Sequence, residues 1–256
     1  MKILVIVVTL AILFGCTTTS KNVTLVDCDH PSGWCEQIRN TAQEAFVFAQ
    51  MSHNVYQDDF QFSLPTKYSA VEHSDNDAIG FAYSIYEDTD TNTVILVFRG
   101  TEDITDWWYG NFLGWQNESA LELFDQQKSQ YPEGTKFIVT GHSLGGAIAL
   151  EISLKREHVD TYVFNTSPRF RFGEQVYENK RVSIVENGEI LKLFRAPAPE
   201  ATQTYTSLGC SSGGPLSQHE QSKLAVCLTK IAASQSAMAI ESLNSNNIEL
   251  PEYLLN

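Results

Sequence analysis

The stretch "KFIVTGHSLGGAIALEI", residues 136–152, constrains this chain of 256 residues more than any other. Its first part is a short, β-branched apolar run of the kind that forms a buried strand. An apolar helical pattern starts at once behind it, so only a tight turn fits between the two. Such a turn forces its apical residue, Ser143, into a strained backbone conformation, and the neighbours two positions away must be small. Gly141 and Gly145 meet that demand, and Gly146 eases close packing of helix on strand. The serine hydroxyl then stands beyond the strand end, at a helix N-terminus whose dipole favours developing negative charge. An ordinary hydroxyl in a glycine-rich bend would need neither flank.

The rest of the chain supplies a matching scaffold. "CEQIRNTAQEAFVFAQMSHNVY" carries helical spacing from Cys35 to about Tyr56. A polar loop follows, then "AIGFAYSIYED" and "NTVILVFRG", two strand-like runs around "DTDTN" that read as a hairpin. "ESALELFDQQKSQYPEG" predicts an amphipathic helix ending at Gly134. Beyond the serine come a helix over "LGGAIALEISLKR", strands at "VDTYVFN" and "RVSIV", and one long helical tail over "QHEQSKLAVCLTKIAASQSAMAIESL". Alternation of strands and helices predicts an α/β fold with a mainly parallel sheet flanked by helices. The length, with 43% hydrophobic and 19% charged residues, suits one domain, taken as residues 35–256.

A nucleophilic serine needs a base, and only His158 and His219 follow Ser143 in the chain. His158 closes the helix that Ser143 opens and reads as a C-terminal cap. That leaves His219 as the candidate base. The candidate acid lies between serine and histidine. Asp160 starts a strand, the wrong end of a parallel sheet for chemistry. Glu186 and Glu189 in "VENGEIL" close a strand, and Glu189, past the Asn-Gly turn, is free to reach a histidine; Glu186 is the other choice. The backbone N–H of Leu144 offers one oxyanion donor. Thr101, at the end of "VILVFRGT", offers a second with its N–H and hydroxyl.

The N-terminus reads as a separate unit. One positive charge at Lys2, an apolar run from Ile3 to Phe14 and then Gly15-Cys16 have the order of a secretory signal over residues 1–15. Residues 16–34 read as a tether. "LFGC" resembles a bacterial lipobox, which implies lipidation of Cys16 and a lipoprotein of the cell envelope, bound to the outer membrane; simple secretion is the alternative. Four cysteines remain, Cys28, Cys35, Cys210 and Cys227, an even number that in an exported chain predicts two disulfides. Of three possible pairings the local one, Cys28–Cys35 with Cys210–Cys227, is preferred. No cysteine or histidine cluster has zinc-site spacing, so no metal is implied. A net charge of −14 argues against nucleic acid as a partner.

Taken together, "VFRGTEDITDWWYGNF", "VTGHSLGGAIA" and "NTSPRF" resemble, in order and spacing, the class 3 lipases, a family of α/β-hydrolases. The resemblance runs from about residue 35 to 235. It implies that Ser143 is the nucleophile, that Thr101 helps form the oxyanion hole, and that Glu189 stands where the family has an Asp. It implies acyl transfer on a lipid or other carboxylic ester without a cofactor. A phospholipase, an acyltransferase or a non-catalytic hydrolase-fold lipoprotein are the other functions this pattern admits. The aromatic segment "DITDWWYGNFLGW" would provide an acyl-chain pocket or lid through Trp107 and Trp108, or simply core.

Overall fold

Six consecutive residues, Thr93–Phe98, are buried on both faces of the sheet, and the architecture is arranged around them. In this computed structural model the described residues are 29–75, 82–100, 113–168, 177–191, 204–208, 210 and 213–255. Seven strands lie in strict chain order: β1 (Tyr68–Ser74), β2 (Tyr83–Asp88), β3 (Thr93–Phe98), β4 (Lys136–His142), β5 (Val159–Phe164), β6 (Arg181–Glu186) and β7 (Thr204–Leu208). The β1–β2 and β2–β3 pairs are antiparallel, and every pair from β3 to β7 is parallel. The connections that cross between parallel strands carry helices α2 (Leu113–Gln130) and α3 (Ser143–Lys155). Helix α1 (Glu36–Asn54) precedes the sheet, while α4 (Gln221–Ala232) and α5 (Ala237–Ser245) follow it.

Because successive strand residues point to opposite faces, β3 feeds two cores. Ile95 and Val97 face α1 and α4, where Phe46, Ala49, Leu224 and Leu228 are packed with them. Val94, Leu96 and Phe98 face α2 and α3, against Phe124, Ile148 and Ile152. Helix α3 is buried from Ser143 to Leu154, which explains why its sequence is apolar nearly all round and not amphipathic. Polar bonds stitch the first core: Gln50 donates from Nε2 to Thr229 and Ser242, and Gln221 donates to the Ala49 carbonyl. The first and last helices are therefore joined directly across the chain.

The predicted α/β-hydrolase arrangement is what forms, with four local differences. The loop expected after α1 contains β1, whose central residues Ser69–His73 are exposed, as befits a sheet edge. Strand β7 was likewise outside the predicted set. The helical tail is broken: the segment around His219 is a short 3-10 turn, and α5 restarts at Ser236, whose side chain accepts from the Ala239 N–H as an N-cap. Helix α2 begins at Leu113 and stops at Gln130, with Gly134 at φ 89° in the turn into β4. His158 corrects a further expectation. The cap of α3 is Arg156, and His158 is an exposed loop residue at φ 62°.

Cys210 and Cys227 form a disulfide, the second of the two local pairs. Cys35 is also disulfide-bonded, to a partner outside the described residues. The Cys28 of the predicted pair, Cys16 and the N-terminal segment lie outside them too. Among the described residues no helix is long and apolar enough to cross a membrane.

Candidate active site

The register of the parallel strands brings their C-terminal ends to one edge. Phe98 pairs with Gly141, His142 with Phe164, and Glu186 with Leu208. The residues following these ends are Gly100, Ser143, Asn165, Glu189 and, after β7, the 3-10 turn of His219. Chain order thus places one chemical group after each parallel strand.

Ser143 sits at φ 53°, a left-handed conformation that costs a non-glycine residue about 1–2 kcal/mol. Its neighbours show why the turn tolerates nothing larger. A Cβ on Gly141 would stand 2.5 Å from the backbone carbon of Gly145, and one on Gly145 would run into the backbone of Phe98. The turn is further tied by the Ser167 N–H, which donates to the Ser143 carbonyl at 3.0 Å. Ser143 is 6% exposed and opens α3, so the Leu144 amide stands at a helix N-terminus.

The two candidate acids separate cleanly. Glu186 Oε1 accepts from the Cys210 N–H at 2.8 Å, fixing the chain that leaves β7. Glu189 Oε2 accepts from His219 Nδ1 at 2.8 Å and from the Leu191 N–H at 2.9 Å. Both carboxylates are buried, but Glu189 is the one that reaches the imidazole. The Asn187-Gly188 turn makes this possible. Gly188 has φ 87°, and a Cβ there would meet the Gln218 side chain at 2.7 Å. The Ile190 N–H then donates to the Pro215 carbonyl, so the acid loop and the histidine loop lie side by side.

A carboxylate can only accept, so Nδ1 of His219 carries the proton and Nε2 faces whatever the imidazole serves. Among the described residues no hydrogen bond joins His219 to Ser143 in this conformation, a contact that commonly tightens only with substrate bound. Two residues that sequence reasoning passed over hold the His219 loop against the Ser143 turn. Asn165, at φ 41°, donates from Nδ2 to the Gln218 carbonyl and accepts the Glu186 N–H at Oδ1. His142 lies with its ring centroid 4.6 Å from that of His219, and its Nε2 donates to the His219 carbonyl at 2.8 Å. His142 occurs inside the serine motif itself, and its place next to Ser143 was the available signal. Thr101, Trp107 and Trp108 lie outside the described residues. Among the described residues no group of three or more His, Cys, Asp or Glu could hold a metal ion.

A serine on a strained strand-to-helix turn, beyond a parallel sheet and beside a Glu–His pair, defines an α/β-hydrolase fold with a nucleophile-elbow site. The model of the family described as Lipase (class 3) matches residues 108–159, the segment that builds α2, β4, the Ser143 turn and α3. Over that segment the chain is similar to the class 3 lipases. No curated protein sequence matches it. Among solved structures it is similar to a deletion mutant of the Rhizomucor miehei lipase in its propeptide complex, at 16% identity and TM-score 0.49, covering 81% of this chain and 80% of that one. It is also similar to lipase II from Rhizopus niveus, at 15% identity and TM-score 0.45, covering 68% and 82%. A triacylglycerol lipase from Penicillium expansum follows at 13% identity and TM-score 0.45, covering 70% and 89%. The fold assignment rests on the strand order and the Ser143 turn, since identities this low add nothing about individual residues.

Proposed function

We propose that the protein hydrolyses carboxylic esters of lipids through a Ser143–His219–Glu189 triad. The observation that carries this reading is the 2.8 Å bond from His219 Nδ1 to buried Glu189, at the sheet end where Ser143 is raised on its turn. Glu189 fixes the imidazole tautomer and stabilises the imidazolium. His219 Nε2 takes the hydroxyl proton as Ser143 Oγ attacks the ester carbonyl. The negative charge that forms on the carbonyl oxygen is met by the Leu144 N–H and by Thr101. The imidazolium then returns its proton to the leaving alcohol, leaving an acyl-serine. A water molecule, deprotonated in turn by His219, releases the acid and restores the enzyme.

Export and tethering belong to the same reading. The N-terminal charge–apolar–small pattern ending at Cys16 supports a lipid-anchored protein of the bacterial envelope, held near ester substrates of the membrane. Palmitate labelling that is lost in Cys16→Ser is the expected outcome, and labelling that survives the change removes the anchor. For the chemistry, a fluorophosphonate probe should label the wild-type protein and leave Ser143→Ala unlabelled, with His219→Ala strongly slowed. Folded wild-type protein that resists the probe would end the hydrolase reading.

A further inference from the structure

His142 makes two bonds that the triad does not account for. Its Nδ1 lies 3.0 Å from the Tyr56 hydroxyl, and its Nε2 lies 2.8 Å from the His219 carbonyl. The Tyr56 oxygen in turn accepts the Gly100 N–H at 3.1 Å. The directions follow from the end groups. A carbonyl only accepts, so Nε2 of His142 carries a proton; in the neutral ring Nδ1 is then an acceptor and Tyr56 donates to it. The chain therefore runs from Gly100 just past β3, through Tyr56 just past the C-cap of α1, through the residue preceding Ser143, to the backbone of His219.

Each member is placed with little freedom. His142 is 6% exposed and His219 8% exposed. A Cβ on Gly100 would meet the Tyr56 oxygen at 2.5 Å and the His142 carbonyl at 2.7 Å, so a bare backbone is needed for this approach. Gly100 immediately precedes Thr101, and His142 immediately precedes Ser143. The link thus bears on both sides of the reacting centre.

We infer that His142 and Tyr56 are positioning residues for ester hydrolysis, tying the oxyanion-side strand end and the His219 loop to the turn that carries Ser143. This inference rests on the serine-hydrolase reading above. The pair touches no reacting atom. Its effect is to hold His219 and Gly100 at fixed distances from Ser143, where small displacements weigh heavily on rate.

The test measures kcat and KM on a short-chain nitrophenyl ester, fluorophosphonate labelling rates, and thermal unfolding of Tyr56→Phe, His142→Leu and His142→Gln. His142→Leu removes both bonds and should lower kcat about 30- to 100-fold, with KM changed less than about twofold because ground-state binding is not involved. Tyr56→Phe should lower kcat about tenfold by loosening one end. His142→Gln keeps an N–H that can reach the His219 carbonyl and should recover most of the loss. The double variant should be little worse than His142→Leu, because both act through one chain. A purely packing role predicts lower Tm with kcat intact, additive losses in the double variant and no rescue by glutamine. That result, in wild-type protein that still labels, overturns the positioning inference and leaves the hydrolase reading standing. Wild-type protein that neither labels nor hydrolyses overturns both.

Discussion

The turn around Ser143 and the loop around His219 contribute to one site but are built by opposite means. The turn is local. Within six residues a strand stops, a serine takes φ 53°, and two glycines admit backbone that any side chain would displace. The loop is assembled from afar. His219 is fixed by Glu189 thirty positions earlier, by His142 seventy-seven positions earlier, by Asn165, and by a disulfide whose closed loop contains it. The proposed nucleophile is thus specified by sterics and the proposed base by a net of hydrogen bonds. Sterics leave a signature in neighbouring letters, whereas the net does not.

Five substitutions press on this contrast. The largest effect belongs to the net. Glu189→Gln should cut kcat by about 10⁴, because the amide cannot hold the imidazole in its working tautomer. Glu186→Gln, equally buried, should leave kcat per folded molecule nearly unchanged and lower Tm; comparable kinetic losses in both would abolish the distinction between the two carboxylates. On the steric side, Gly145→Ala should cost about 3 kcal/mol of stability, since a Cβ there has no room against Phe98. Denaturant unfolding that matches wild type would show the turn to be softer than its geometry implies. Cys210→Ser reopens the loop that holds the base and should lose about 3 kcal/mol by the chain-entropy estimate. Labelling should fade at lower denaturant than the far-UV signal, and coincident loss would argue against a separately stabilised base loop. The smallest effect on stability has the opposite sign. Ser143→Gly should abolish activity and raise stability by about 1 kcal/mol through relief of the left-handed backbone. A drop in Tm would mean that the hydroxyl, not the backbone, dominates the energetics there.

The same contrast explains what was legible in the letters. The strand-to-helix turn and the mainly parallel sheet could be read because each follows from short apolar runs and glycines, and elimination singled out His219, which the fold places against Glu189. Glu189 could be named beside Glu186, but choosing between them required knowing that Gly188 folds against Gln218 and carries the acid to the imidazole. His142 and Tyr56 could not be paired, because eighty-six positions separate two residues that each look ordinary alone. Strand β1 escaped detection because an edge strand exposes polar residues and so resembles a loop. The split in the C-terminal helix was hidden because Ser236 also fits a helical pattern until its side chain is seen capping the next segment.

The strict chain order of the sheet has a consequence for how such a molecule comes into being. Each strand pairs with the one before it, so a chain delivered N-terminus first always finds the edge it needs already present. Helix α1 packs on the sheet early, but its side against α4 stays uncovered until α4 arrives and Gln221 reaches the Ala49 carbonyl. Glu220, the N-cap of α4, directly follows the turn that ends with His219. On the proposed triad, competence to cleave an ester is therefore acquired late in assembly, and a chain cut short before residue 217 would carry its serine on an incomplete sheet cover with no base beside it.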